Sequence, residues 1–366
     1  MKSSFLNFFL CLALILSVQR ISAQVDPVYP DPSWKPPTNL SGQIITSQIP
    51  VLPAFYAQKE LKIDANAKAL LAKQREYIIK NKLGFNVGVT TTFGKPIAQI
   101  TGDQEVSSTE NARIKRYLTT RKLTPISIEL IRKWLLTCNT ARSFYDARIS
   151  GLITPVKDQK CGNCWTYGAV GAYETSYKKV NNLVIDASEQ QAGNCTDADA
   201  CSGGSAYQIF EWMVNNNKNL NTEAASPDLG ANMACPAAVP ATNYYAIDWG
   251  ICSATGDISK IASVDEIKKA ICTYGSVSAS LNATSLFSNY ATGVFYETPS
   301  NYTTPSSNHA ILIIGWDDSK SAWLIKNSWG ATNLGTGDWG ENGYGWVHYG
   351  TNNIGRRAAW VLAKPR

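Results

Sequence analysis

Histidine is nearly absent: the 366-residue chain holds two, His309 and His348. With so few imidazoles, and no second C-x-x-C beside the pair Cys161 and Cys164, a zinc site lacks ligands. No run of five basic residues occurs, which argues against a nucleic-acid-binding arm. Beyond the first twenty or so residues no apolar stretch approaches a membrane-spanning length. There is no low-complexity tract and no internal repeat, and methionine is scarce, at three residues.

What is present suffices for a real core: 44% of the residues are hydrophobic, enough for one large domain or two smaller ones. The formal net charge of +6 is unevenly spread. Residues 1–140 carry 18 Lys and Arg against 9 Asp and Glu, and the remainder 16 against 19. This +9 against −3 suggests a basic segment that packs on an acidic domain, not a nucleic-acid partner. The first 23 residues read as a secretory signal: Lys2, the short apolar core "FLNFFLCLALILSV", then "ISA" before Gln24. The rest is expected to be exported, soluble, free of the membrane and monomeric. Asn39, Asn194, Asn282 and Asn301 begin N-x-S/T sequons.

Residues 24–51 are proline-rich and polar. Residues 56–82 have apolar positions at helical spacing, and "ISIELIRKWLLT" is a second helical stretch. Between them "FNVGVTTTFGKPIAQITG" looks strand-like. After residue 143 aromatics, glycines and cysteines dominate, with late strand-like runs "SVSASL", "AILIIGW", "AWLIKNSW" and "YGWVHYG". The order implies an α+β fold, with helices first and strands second.

"KDQKCGNCWTY" is the stretch that carries chemistry. Its two cysteines could form a redox pair, bind a metal or supply a nucleophile. A redox motif of the thioredoxin kind has its tryptophan before the first cysteine, whereas Trp165 follows the second. A nucleophile needs its thiol pKa of about 8.5 lowered. Cys164 heads a helical pattern, where the unpaired N–H groups favour a thiolate. His309 begins the apolar run "NHAILIIGW", and Asn327 ends another strand in "KNSWG", suited to hold an imidazole.

In order along the chain stand "PVKDQ", "CGNCW", "CSGG", "NHA" and "KNSWG…WGENGYG", with "SFYDAR" before them. Over residues 141–366 this closely resembles the papain family of cysteine peptidases. The resemblance implies a two-lobed α+β fold: a helical first lobe, a β-rich, barrel-like second lobe and a cleft between. After the signal-like residues 1–23, it implies an inhibitory proregion at 24–140 and a peptidase domain at 141–366. Cys164 would be the nucleophile, His309 its acid–base partner, Asn327 the residue orienting the imidazole and Gln159 the oxyanion donor. Trp329 would shield the Asn–His bond, and Gly203 and Gly204 would pair with an extended substrate. Ser205, Ser280 and Ala310 would line a roomy specificity pocket, suggesting bulky apolar side chains. Cys161 would pair with Cys201 and Cys195 with Cys235; Cys252 and Cys272 could then pair with each other, with the pairing of these two and of Cys138 left open. The implied activity is endopeptidase cleavage of proteins or peptides by a secreted zymogen, restrained by its own proregion, with no metal or organic cofactor. Carboxydipeptidases of the family carry paired histidines that two histidines in all cannot supply.

Two features depart from the family pattern. Only Lys160 separates Gln159 from Cys161, one residue fewer than usual, and "ATNLGTGDW" lengthens the loop after Trp329. "GTGDWG" formally matches a dinucleotide fingerprint, but a strand with alternating aromatics follows it where a helix is required. That strand holds His348, a structural or surface residue. A catalytically silent homologue and an acyl transferase on the same residues are the competing functions.

Overall fold

The computed structural model describes residues 49–236, 242–297, 306–330 and 339–366. The signal-like run, the sequons at Asn39 and Asn301 and most of the lengthened loop lie outside these residues. The elements, in chain order, are α1 (Ala54–Glu60), α2 (Ala65–Lys80), β1 (Phe85–Val87), α3 (Ile97–Ile100), α4 (Ser108–Thr120), α5 (Pro125–Thr137), β2 (Phe144–Asp146), α6 (Cys164–Asn181), α7 (Glu189–Asn194), α8 (Ala206–Asn215), β3 (Ala246–Ile251), α9 (Val264–Tyr274), β4 (Val277–Leu281), α10 (Ser285–Ser288), β5 (Tyr290–Phe295), β6 (His309–Asp317), β7 (Ala322–Lys326), β8 (Tyr344–His348) and β9 (Arg356–Ala363).

The helix expected over 56–82 is two helices. Asp64 caps α2 by accepting the Ala67 N–H at 2.8 Å, and this new start ends α1. The strand-like stretch 85–102 contributes only three residues to a ladder. Past β1, Thr90 and Thr92 hydroxyls donate to the Ser288 carbonyl at 2.7 and 2.8 Å, so side chains rather than a ladder fasten the segment. Helix α4 was not expected. Ser107 caps it, and Ile114 is its one buried residue, so it shows almost no apolar period.

The sheet runs β1-β5-β8-β7-β6-β4-β9-β3, with β2 added on β6. The path is open, with β1 and β3 at its ends, and the mixture of helices and sheet is the α+β arrangement expected. β1 comes from the N-terminal region and pairs antiparallel with β5. Two hydrophobic cores flank the sheet. One holds α2, α9 and the tryptophans Trp316, Trp323, Trp329 and Trp339; the other surrounds α6 and α8 with Trp165, Trp249 and Phe210. β6 feeds both: Ile311 and Ile313 enter the first, Ala310, Leu312 and Ile314 the second. A strand covered on both faces reads as an unbroken apolar run, which is why "HAILIIGW" shows no alternation. Gly171 lets α6 lie close on this strand, since a Cβ there would stand 3.3 Å from Leu312.

The cysteine pairing differs from the expectation at one bridge. Cys161 pairs with Cys201 and Cys195 with Cys235. Cys272, however, pairs with Cys138, and Cys252 is free. The packing of α5 on α9 accounts for this: Cys138 is the C-cap of α5, and Cys272 lies in the last turn of α9. Burial pushes the Cys252 thiol pKa up. One bridge therefore joins the N-terminal region to the rest of the chain.

Candidate active site

Cys164 is the first residue of α6, and His309 the first of β6, paired across the ladder with Leu281. Both are fully buried. The Cys164 Sγ accepts the Ala310 N–H at 3.4 Å, which places the sulfur against the start of β6. His309 Nε2 lies 2.8 Å from Asn327 Oδ1, while Nδ1 has no hydrogen-bond partner. Asn327 directly follows β7, and its own N–H donates to the Gly343 carbonyl at 2.9 Å. The Trp329 ring stacks on the His309 ring, with centroids 4.3 Å apart. Phe287 and Trp339 pack behind Trp329, so the Asn–His contact is closed to water.

The short spacing after Gln159 does not remove it from the site. Its N–H donates to the Ser328 carbonyl, its Oε1 accepts the Ser328 hydroxyl at 2.6 Å, and its Nε2 donates to the Cys161 carbonyl. Ser328 thus holds the amide, a role the quoted "KNSWG" contained unnoticed. Ser280 and Ala310 stand opposite each other on β4 and β6. Ser205 caps α8, its N–H donating to Gln208 Oε1. His348 lies on β8 with its ring edge-on to Tyr296, away from the cluster.

A stretch of the N-terminal region occupies the cleft. The Ile100 carbonyl accepts from Gln159 Nε2 and from Trp329 Nε1, both at 3.1 Å. The Gly102 N–H donates to Cys164 Sγ at 3.2 Å. Gly204 N–H donates to the Gly102 carbonyl, and Gln104 N–H to that of Gly204, so Asp103 and Gly204 bridge in parallel. The sulfur therefore faces an amide N–H of the N-terminal region. Gly102 is required here: a Cβ would collide with the Gly162 carbonyl. Asp103, Arg357 and the Asn308 carbonyl, which accepts the Asp103 N–H at 2.9 Å, are site residues the sequence reading missed.

This cover sets the protonation of the pair. Burial, then the Asp103 charge, pushes the Cys164 thiol up to about 12, despite the N–H donors of Ala310 and Gly102. Burial pushes His309 down to about 4, against the Asn327 hydrogen bond. While the cleft is covered the two groups are therefore a neutral thiol and a neutral imidazole, not the thiolate that the helix start alone would favour. Desolvation outweighs the helix N-terminus here.

The chain belongs to the papain family: a model described as papain family cysteine protease matches residues 141–362. Thiol protease aleurain of Arabidopsis thaliana is 34% identical over 216 residues, covering 57% of this chain and 56% of aleurain. The chain thus spans little more than half the length of the curated relatives it matches. Among solved structures, digestive procathepsin L 3 of Tenebrio molitor larval midgut superposes with a TM-score of 0.61 at 20% identity, over 85% of this chain and 93% of that one. Recombinant stem bromelain precursor gives 0.58 at 20% identity, with the same two coverages. Residues 141–366 alone cannot supply that coverage, so the shared fold includes part of the N-terminal region.

Proposed function

We propose that this protein is an exported cysteine endopeptidase made as a zymogen, with residues 24–140 as an inhibitory proregion and 141–366 as the peptidase. The observation that carries the reading is the 2.8 Å contact between His309 Nε2 and Asn327 Oδ1, beside a thiol at a helix start. Fixing Nε2 on Asn327 leaves Nδ1 as the atom that exchanges protons, and Nδ1 is the ring nitrogen without a partner. Once the proregion is displaced from the cleft, water and substrate enter and the desolvation that keeps the pair neutral is relieved. The Cys164 proton moves to His309 Nδ1, and Sγ attacks the scissile carbonyl carbon. The oxyanion is held by Gln159 Nε2, freed from Ile100, and by the Cys164 N–H. The imidazolium returns its proton to the leaving amine, and the acyl-enzyme remains. His309 then takes a proton from water as the water attacks, and the thiol is regenerated.

The proregion inhibits by placing an N–H over the sulfur. Maturation falls near residue 140, before "SFYDAR". The signal-like N-terminus and the disulfides support export. The test is hydrolysis of a protein substrate by acid-treated material, with and without a thiol-directed epoxysuccinyl inhibitor. Inhibitor-sensitive cleavage is expected; no cleavage by fully folded, trimmed protein would contradict the reading.

A further inference from the structure

A charged side chain stands where the sequence suggested only small ones. Arg357, near the start of β9, has φ 49°, a left-handed backbone uncommon for anything but glycine. Its side chain is 2% exposed. Nε donates to Ser280 Oγ at 3.1 Å and Nη2 to Ser307 Oγ at 2.6 Å. Nη2 also pairs with the Asp103 carboxylate, and Nη1 lies 2.9 Å from Glu105. The Asp103 side chain is itself 1% exposed. Ser280 faces Ala310, whose N–H is on the catalytic sulfur, and Asp103 follows Gly102, whose N–H is there too. The Asp103 carboxylate therefore fills a pocket one residue from the nucleophile, on the Gly204 side of the cleft.

Both carboxylates that pair with Arg357 belong to the proregion. When it leaves, the peptidase domain offers this guanidinium only the hydroxyls of Ser280 and Ser307, among the described residues. A buried guanidinium without an anion is strongly disfavoured, and its planar fork suits a carboxylate. We propose that the pocket takes an acidic substrate side chain, so that the enzyme selects peptides carrying Asp or Glu two residues to the amino side of the scissile bond. Arg357 is the specificity-determining residue, and Asp103 is the substrate side chain's stand-in. The position follows from the cleft. Ile100 lies over Gln159 and Trp329 on the leaving-group side, Gly102 over the sulfur, and Asp103 next to it beside Gly204. An apolar preference, suggested by Ser205, Ser280 and Ala310, ignores the cation behind them.

This inference rests on the peptidase reading, and its test separates the two. Acid-activated protein is titrated with an epoxysuccinyl inhibitor, then assayed on peptides identical but for Asp, Asn or Leu at that position. The expected kcat/KM for Asp exceeds that for Asn and Leu by roughly 30-fold or more, the scale of a buried charge pair losing one partner. In Arg357→Leu the Asp peptide loses its advantage and the Leu peptide becomes the better substrate; Arg357→Lys retains part of the preference. Because Arg357 also holds the proregion, a variant can fail to fold, and the wild-type Asp/Asn ratio then decides alone. Full titration with an Asp/Asn ratio near one, or with Leu preferred, overturns the acidic pocket and leaves the peptidase reading standing. Failure to titrate at all overturns both.

Discussion

Cys164→Ala removes the thiol beside the His309–Asn327 pair, and turnover should fall by about 10⁴-fold or more. The fold should persist, since a small side chain at the start of α6 leaves little void. Asn327→Ala frees the imidazole at Nε2. A hydrogen bond to a charged group contributes about 1.5–3 kcal/mol, so kcat should drop by roughly 10- to 100-fold while KM moves little. Steady-state kinetics on trimmed protein check both; an unchanged kcat for Asn327→Ala would remove that residue from the mechanism. Gly102→Ala acts on the precursor instead. Its Cβ would meet the Gly162 backbone, which cannot yield as a flexible side chain does. The intact variant should be labelled by an epoxysuccinyl inhibitor at neutral pH, where the intact wild type is not, and once trimmed the two should be equally active. Latency in intact Gly102→Ala equal to wild type would show that this stretch does not seat against the sulfur.

Among the elements, the bridge between Cys138 and Cys272 gives a prediction the sequence reading did not contain. A single cut near residue 140 leaves α5 attached to α9 through that disulfide. Mass spectrometry should find the N-terminal fragment with the peptidase before reduction and apart from it afterwards. Peptidase lacking the fragment, with a free Cys272 thiol, would contradict this. Cys161→Ser should cost about 2–5 kcal/mol of stability, read as a lowered Tm, with residual activity in what remains folded. The late strands were legible because burial on both faces writes them as continuous apolar runs, as in β6. Helix α4 was not: "STENARIKRYLTT" buries only Ile114 and owes its start to a Ser107 cap. Local motifs are enough to nominate Cys164, His309, Asn327 and Gln159 as candidates. They do not nominate Arg357, because an arginine reads as surface until the fold encloses it, and its partners Asp103 and Glu105 lie some 250 residues earlier.

For the whole molecule, the contrast of +9 against −3 describes only part of the contact between the N-terminal region and the rest of the chain. Arg113 and Arg121 reach Glu211 and Asp248, the sense that contrast implies; Asp103 and Glu105 reach Arg356 and Arg357, the reverse. Both senses need ionised carboxylates. A hydrogen bond from Arg113 of the same helix, and then one from Tyr207 across the contact, hold the Glu110 carboxyl below its ordinary 4.5, and only the Tyr207 bond is lost when the two regions part. A carboxyl whose pKa is lower in the assembled form favours assembly above its free pKa, and that contribution fades as pH falls through the lower value. Asp248 has the opposite sign. Burial raises it to about 6 against the Arg121 charge, so its protonation below that pH relieves a buried charge and does not drive release. Release should therefore begin below about pH 4.5 rather than near 6, as followed by inhibitor labelling of intact protein across that range. Complete release at pH 6 would contradict it. The most direct test of the central claim is to label trimmed protein with an epoxysuccinyl inhibitor and map the modified peptide. Cys252 is the other free thiol among the described residues and serves as an internal control. One label per molecule on Cys164, abolished in His309→Ala, is the expected result; no label, or label on Cys252 alone, would show that the cleft around Cys164 is not a peptidase site.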